Sequence, residues 1–149
     1  MKKIFILFFL LISVFNLKSQ NWQVYSDSLH NIMQVGDWSD AYVFIDKIDS
    51  LLLIQGFNID TNYADYLYRK GVLLNSIDNN YTESLENILE SEKIWIKSKV
   101  KNQKKLMFIY YWKGLSLFSL KDDKEAIKSY KLSINYNIEN DTINQLTLL

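Results

Sequence analysis

The chain has 149 residues, with 17 acidic and 17 basic side chains and therefore a formal net charge of zero, and it contains neither cysteine nor proline. This length suits one domain of ordinary size, and the charge balance points neither to nucleic acid nor to an anionic membrane as a partner. The lack of cysteine excludes disulfides, thiolate metal sites and lipid anchors on cysteine.

The first twenty residues have the pattern of a secretory signal peptide. Lys2 and Lys3 give a positive start, and the apolar run Ile4 to Phe15 follows. A run of this length fits the apolar region of a signal peptide and is shorter than the ~20 residues that span a bilayer. We therefore assign residues 1–20 to a signal peptide and expect an exported protein, periplasmic or secreted. An uncleaved signal anchor and a buried helix are the alternatives.

Residues 21–149 are predicted to be helical almost throughout, because apolar residues recur at helical spacing and no stretch shows sustained two-residue alternation. Gly56 is a plausible C-cap for the first stripe. The three stripes are Ala41, Phe44, Ile45, Ile48, Leu51 and Leu52; Leu85, Ile88, Leu89, Glu92, Trp95 and Ile96; and Ala126, Ile127, Tyr130, Ser133 and Ile134.

A capping pattern precedes each stripe and repeats along the chain. A side-chain N-cap candidate is followed three residues later by an acid, as in a capping box. The separation from Ala41 to Ser84 is 43 residues, and from Ser84 to Ala126 it is 42. A near-constant period over three copies predicts stacked supersecondary units. The cap and acid pairs are Asp37 with Asp40, Asn80 with Glu83, and Asp122 with Glu125.

The stretch Leu106 to Ile134 reads as two helices joined by a tight charged turn. Gly114 lies inside the first helix, where glycine costs about 1 kcal/mol relative to alanine and so usually has a packing reason. We expect a second helix close against it, with the small Ala126 permitting the approach and Tyr130 one turn later. This glycine, alanine and aromatic set resembles the tetratricopeptide repeat.

The resemblance extends over nearly the whole of residues 21–149, in units of about 22–60, 61–103 and 104–140, with a partial terminal helix at 141–149. It implies an all-α fold of antiparallel helix-turn-helix repeats stacked as a short right-handed α-solenoid. The period exceeds the usual 34 and is closer to the long repeats of kinesin light chains. An unrelated bundle of helical pairs is the alternative. The positions that match the family pattern are Tyr25, Leu29, Ile32, Ala41 and Ile45; Leu67, Gly71, Leu74, Ser84 and Ile88; and Tyr110, Gly114, Leu117, Ala126 and Tyr130.

Residues that could carry chemistry are scarce. His30 is the only histidine, and a single histidine without cysteine cannot supply a multi-histidine metal site. Acid pairs such as Asp46 with Asp49 are better explained by capping and solvation, and no phosphate-binding loop or nucleophile motif is present. We therefore expect a non-enzyme with no cofactor and no metal.

The resemblance implies a concave groove, lined by the first helix of each unit, that binds a protein or peptide. No nucleic acid is expected as a partner, and a membrane only through an uncleaved signal segment. The alternative is that these side chains are core, covered by the terminal helix or by a missing next repeat. The candidate groove residues are His30, Met33, Tyr68, Val72, Phe108, Tyr111, Leu115 and Phe118.

Charge is unevenly distributed along the chain. Residues 21–92 carry 12 acids against 3 bases, a net −9, and residues 93–149 carry 11 bases against 5 acids, a net +6. The excess of lysines after residue 92 is explained by a solvated helix end and loop, and a docking patch for an acidic partner or an anionic surface is the alternative. The function predicted is a non-catalytic interaction scaffold. The alternatives are an extracytoplasmic sensor segment of a longer signalling protein and an enzyme on a helical-repeat scaffold.

Overall fold

The computed structural model describes residues 22–36, 38, 40–55, 58–100 and 102–146, with backbone alone at 55 and 139–146. This part of the chain contains six α-helices and no strand, so the all-α prediction is confirmed. The signal peptide assigned to residues 1–20, the N-cap Asp37 and the C-cap Gly56 lie outside the described residues. The helices are α1 (Trp22–Val35), α2 (Ala41–Gln55), α3 (Thr61–Ser76), α4 (Tyr81–Lys97), α5 (Gln103–Ser119) and α6 (Asp123–Leu146).

The described residues fall into two compact units, one within residues 1–57 and one within 58–149. In the first unit α1 packs against α2. Leu29 on α1 is fully buried, and so are Ala41 and Ile48 on α2. The stripe predicted along α2 is therefore its buried face, with Phe44 half-buried at its margin.

In the second unit α3 packs against α4 and α5 against α6, while α5 also contacts both α3 and α4. The core joins the apolar faces of the first three of these helices. Tyr136 of α6 closes it on one side, where its ring stacks on that of Tyr110 at 5.5 Å between centroids. The buried members of this core are Ala64, Leu67, Ile88, Ile94, Trp95, Leu106, Ile109 and Tyr110.

Side-chain caps fix where the helices of the second unit begin, because the first N–H groups of a helix have no partner within it. The carboxylate of Asp60 accepts from the backbone N–H of Asn62 and of Tyr63, each at 3.0 Å. Asn102 caps α5 by accepting from the N–H of Lys105 at 2.9 Å. These two caps were not predicted.

The predicted caps Asn80 and Asp122 are confirmed. Asn80 accepts from the backbone N–H of Glu83 and donates its amide to the carboxylate of Glu83 at 2.9 Å, so the reciprocal bond runs between side chains. Asp122 accepts from the N–H of Glu125 at 3.3 Å. The helix that follows Asp122 continues to Leu146, so residues 141–146 extend α6 and do not begin another helix.

Two glycines in the second unit let paired helices approach closely, as predicted for Gly114. A Cβ placed on Gly114 would lie 2.6 Å from Cε1 of the Tyr130 ring. One placed on Gly71 would lie 2.7 Å from Cγ1 of Ile88 and 3.0 Å from the carbonyl oxygen of Ser84. Close contacts of this kind leave no room for a side chain, which explains glycine inside a helix at both positions.

Serine hydroxyls complete the contacts between paired helices. Ser84 donates to the carbonyl of Gly71, and Ser91, later in α4, donates to that of Ala64, earlier in α3, both at 2.7 Å. Ser133 of α6 donates to the carbonyl of Met107 in α5 at 2.9 Å. Each serine hydroxyl is small and donates its hydrogen bond to a backbone carbonyl of the facing helix, so the two helices can pack closely.

The buried faces predicted along α4 and α6 were partly wrong. Leu89 and Ile96 on α4 are exposed, and so are Ile127 and Ile134 on α6. The buried faces run instead through Ser84, Ile88, Ser91, Ile94 and Trp95 on α4 and through Ala126, Ser129 and Ser133 on α6.

Candidate protein-binding site

Four large apolar side chains form one exposed stripe along α5, here called the α5 stripe: Phe108, Tyr111, Leu115 and Phe118. Their spacing of three, four and three residues places them on a single face of the helix. Phe108 is 40% exposed, Tyr111 45% and Phe118 55%, while Leu115 is half-buried. Contiguous exposed apolar surface of this kind is characteristic of an interaction site.

Tyr130 on α6 lies beside the α5 stripe. Its ring lies 6.2 Å from that of Tyr111, tilted by 55°, and covers Gly114. Partial burial, together with the neighbouring Tyr111 hydroxyl, raises the pKa of Tyr130 above its usual value. Ile127 and Ile134 flank Tyr130 on α6 at the helical spacings of three and four residues.

The remaining candidate groove residues lie on α1 and α3. His30 and Met33 belong to the first unit, where His30 is exposed and its ring bonds to the Gln34 amide at 3.0 Å. Val72 is buried, so its side chain presents no surface to a partner. Tyr68 is half-buried, and its hydroxyl accepts a hydrogen bond from the Trp112 indole. Burial is the main cause that raises the pKa of Tyr68.

A half-buried ionic cluster links α3, α4 and α5, and the sequence analysis missed it. Lys105 forms an ion pair with Asp65 at 3.0 Å, and its Nζ lies 5.4 Å from the centre of the Tyr68 ring. The same carboxylate accepts from the Trp95 indole at 3.2 Å, and Arg69 approaches it at 3.8 Å. One feature of the sequence could have indicated this contact. Lys105, Ile109, Trp112 and Ser116 are four, three and four residues apart, which places them on one face of α5.

A second ionic contact holds α5 to α4. Lys113 pairs with Glu92 at 2.7 Å, and Lys113 Nζ lies 5.5 Å from the centre of the Tyr110 ring. The Tyr110 hydroxyl donates to the Glu92 carboxylate; burial, this bond and the nearby negative charge all raise the pKa of Tyr110. Lys113 thus has an acidic partner on the neighbouring helix.

A chain of buried and half-buried polar groups joins α3, α4 and α5. The Asn75 amide donates to the Ser116 hydroxyl at 2.9 Å, and that hydroxyl lies 3.0 Å from the hydroxyl of Ser84. Ser84 in turn donates to the carbonyl of Gly71. Every buried side-chain nitrogen and oxygen in the described part of the chain has a hydrogen-bond partner. The contact between α5 and the helices before it therefore combines the apolar core with hydrogen bonds and ion pairs.

Two depressions lie on the described surface of the second unit. The larger, about 490 Å³, lies where α3 begins and α4 ends, beside Lys93 and Lys97. The smaller, about 380 Å³, lies between Trp95 and Tyr136. Within the described residues, no group of three or more histidine, cysteine, aspartate or glutamate side chains could hold a metal ion.

Comparisons of the chain with protein-family models, with curated proteins and with solved structures find no match. Among the described residues, no helix has the length and apolar character needed to cross a membrane.

Proposed function

We propose that this chain is a non-catalytic protein-interaction scaffold that binds a protein or peptide partner through the α5 stripe. The observation that carries the proposal is the exposure of Phe108, Tyr111 and Phe118 on one face of α5. The buried polar side-chain atoms of the described residues all have hydrogen-bond partners. Aromatic side chains are favoured anchors of interfaces, because they bury a large area with few rotatable bonds.

We further propose that the helix pairs are tetratricopeptide-type repeats, antiparallel and stacked as a short right-handed α-solenoid. The proposal is supported by the equivalent packing of two pairs. Gly71 of α3 lies under Ile88 of α4, and Gly114 of α5, 43 positions after Gly71, lies under Tyr130 of α6. The order of the Gly71–Ser84 and Ala64–Ser91 contacts supports the antiparallel arrangement.

Export is the remaining part of the proposal, and it is supported by the sequence alone. The charged start and the short apolar run of residues 1–20 are typical of secretory signals. The scaffold would then act in the periplasm or outside the cell.

The test is partner capture with residues 21–149, tagged and incubated with envelope and secreted proteins of the native host. Truncating an interface anchor commonly costs 2 kcal/mol or more, so Tyr111→Ala should retain at most about a tenth of the partner retained by the parent. Tyr81→Ala, which removes an aromatic outside the α5 stripe, should retain it in full. Equal retention by both variants, with helicity by circular dichroism unchanged, would refute the assignment of the site.

A further inference from the structure

The pair α3/α4 carries a seat for a helix, and α5 occupies it. Besides the apolar core, ion pairs, a cation–π contact and hydrogen bonds join both helices to α5. On α3, Asp65 and Tyr68 contact Lys105, and Asn75 contacts Ser116. On α4, Ser84 contacts Ser116 and Glu92 contacts Lys113.

The next helix pair repeats these positions with different chemistry. Moving 43 positions along from α3 leads from Asp65, Tyr68 and Asn75 to Phe108, Tyr111 and Phe118 on α5, and moving 42 positions from α4 leads from Glu92 to Ile134 on α6. Asp65, Asn75 and Glu92 are half-buried and polar under α5, and the equivalent positions on the next pair are apolar, while Tyr68 is matched by a second tyrosine. Ile127 is 54% exposed, Ile134 58% and Ile138 59%, and these three isoleucines share one side of α6.

We propose that this surface is a seat for one amphipathic α-helix of a partner protein, with an apolar stripe flanked by acidic residues. The surface, here called the α5–α6 face, consists of the α5 stripe together with Ile127, Tyr130, Ile134 and Ile138. The inference rests on the proposed scaffold function and adds the class of the partner. It also extends the site onto α6, which the predicted groove did not include.

The apolar character of the partner stripe follows from the face itself. The α3/α4 seat offers Asp65 and Glu92 to the lysines of α5, whereas the equivalent positions on the α5–α6 face are Phe108 and Ile134. A helix seated there meets rings and branched aliphatic chains, so its contacting side must be apolar, with anchors at the spacing used in helix-in-groove recognition. Because α5 has 17 residues, a partner helix of about that length covers the face.

The acidic flanks follow from the charge around the face. Residues 103–138 contain 7 lysines against 3 acids. Lys105 and Lys113 pair with Asp65 and Glu92 on the helices before α5, so the other five lysines and the three acids leave a net +2. Lys121 is exposed beside the Phe118 ring, with its Nζ 5.9 Å from the ring centre, and Lys124 and Lys131 are also exposed. A second copy docked face to face would bring these lysines together, and juxtaposed like charges disfavour association. A partner helix with glutamates beside its apolar stripe is complementary.

The probe is a fluorescein-labelled 17-residue helical peptide with leucines four, three and four residues apart and glutamates on both flanks. Its scrambled counterpart has the same composition but no common apolar face. Fluorescence anisotropy with residues 21–149 should show saturable binding of the stripe peptide alone. Exchanging the flanking glutamates for lysines should weaken binding at least about fivefold at low salt, with a smaller effect at high salt because salt screens surface charge.

The variants compare the face with an equally exposed control. Phe118→Ser combined with Ile134→Ser should raise the Kd for the stripe peptide at least tenfold. Ile96→Ser removes a similarly exposed isoleucine on α4 and should leave it unchanged. Circular dichroism and sedimentation of each variant establish that the fold and the oligomeric state match those of the parent.

Equal binding of stripe and scrambled peptides, or no binding of either, would overturn the helix seat. A dimer of the parent chain that Phe118→Ser dissociates would also overturn it, because the face would then belong to a second copy. The scaffold function is tested separately from the helix seat. Host-partner capture that depends on Tyr111 but maps by crosslinking to an extended segment would support the scaffold function and overturn the helix seat.

Discussion

Placing one methyl group on Gly114 probes the packing on which the α5–α6 pair depends. In Gly114→Ala the new Cβ would lie 2.6, 2.7 and 2.9 Å from three atoms of the Tyr130 ring. Carbon atoms pack at about 3.5–4.0 Å, so the ring must move by roughly 1 Å or α6 must shift away. Tyr130 is half-buried, and its movement would also disturb its contact with Tyr111.

The magnitude is a difference between two opposing effects. Overpacking a core typically costs about 1–3 kcal/mol, and replacing glycine by alanine inside a helix contributes about 1 kcal/mol of stability. We therefore expect Gly114→Ala to lower the free energy of unfolding by about 1 kcal/mol. At Gly71 the obstacles are the fully buried Ile88 and the backbone oxygen of Ser84, which cannot rotate away. Gly71→Ala should therefore cost more than Gly114→Ala.

A double-mutant cycle makes the prediction sharp, because removing the ring removes the obstacle. In a Tyr130→Ala background, Gly114→Ala should change sign and stabilise the chain by up to about 1 kcal/mol. The assay is urea unfolding of residues 21–149, followed by circular dichroism at 222 nm and by intrinsic fluorescence, with m-values compared. Stabilisation by Gly114→Ala in both backgrounds would refute the close approach of α6 to α5.

Two further predictions concern pH and processing. The raised pKa values of Tyr68 and Tyr110 mean that the folded state holds their protons more tightly than the unfolded state, so stability is complete below about pH 10 and falls as pH rises above it. The double variant Tyr68→Phe/Tyr110→Phe should lose less of its urea midpoint between pH 8 and pH 11 than the parent; an equal loss would contradict the assignment. Mass spectrometry of protein from the native host should find a mature N-terminus near Gln20 or Asn21, and an intact Met1 in a cytoplasmic pool would contradict export.

The sequence by itself determined the local elements of this protein. Asn80 and Asp122 are recognisable as caps because capping is a contact between residues three apart, and both begin helices in the structure. Gly114 indicated a close approach of two helices, because glycine inside a helix lowers its stability and is usually kept for a packing reason. The family resemblance named Phe108, Tyr111, Leu115 and Phe118 as candidates, and their spacing of three, four and three residues agrees with a single helix face.

Only the tertiary structure decided which faces are covered. Ser84 and Ser91 are polar residues, yet both are buried, because the hydroxyl of each donates a hydrogen bond to a backbone carbonyl of α3. The sequence does not show which carbonyl lies opposite. Lys105 reads as one lysine of a basic cluster until Asp65, forty positions earlier, is found beside it. Val72 and Ile134 look equally apolar, but Val72 is buried and Ile134 is exposed. Burial depends on contacts between residues far apart in the chain, and periodicity along one helix does not encode the partner.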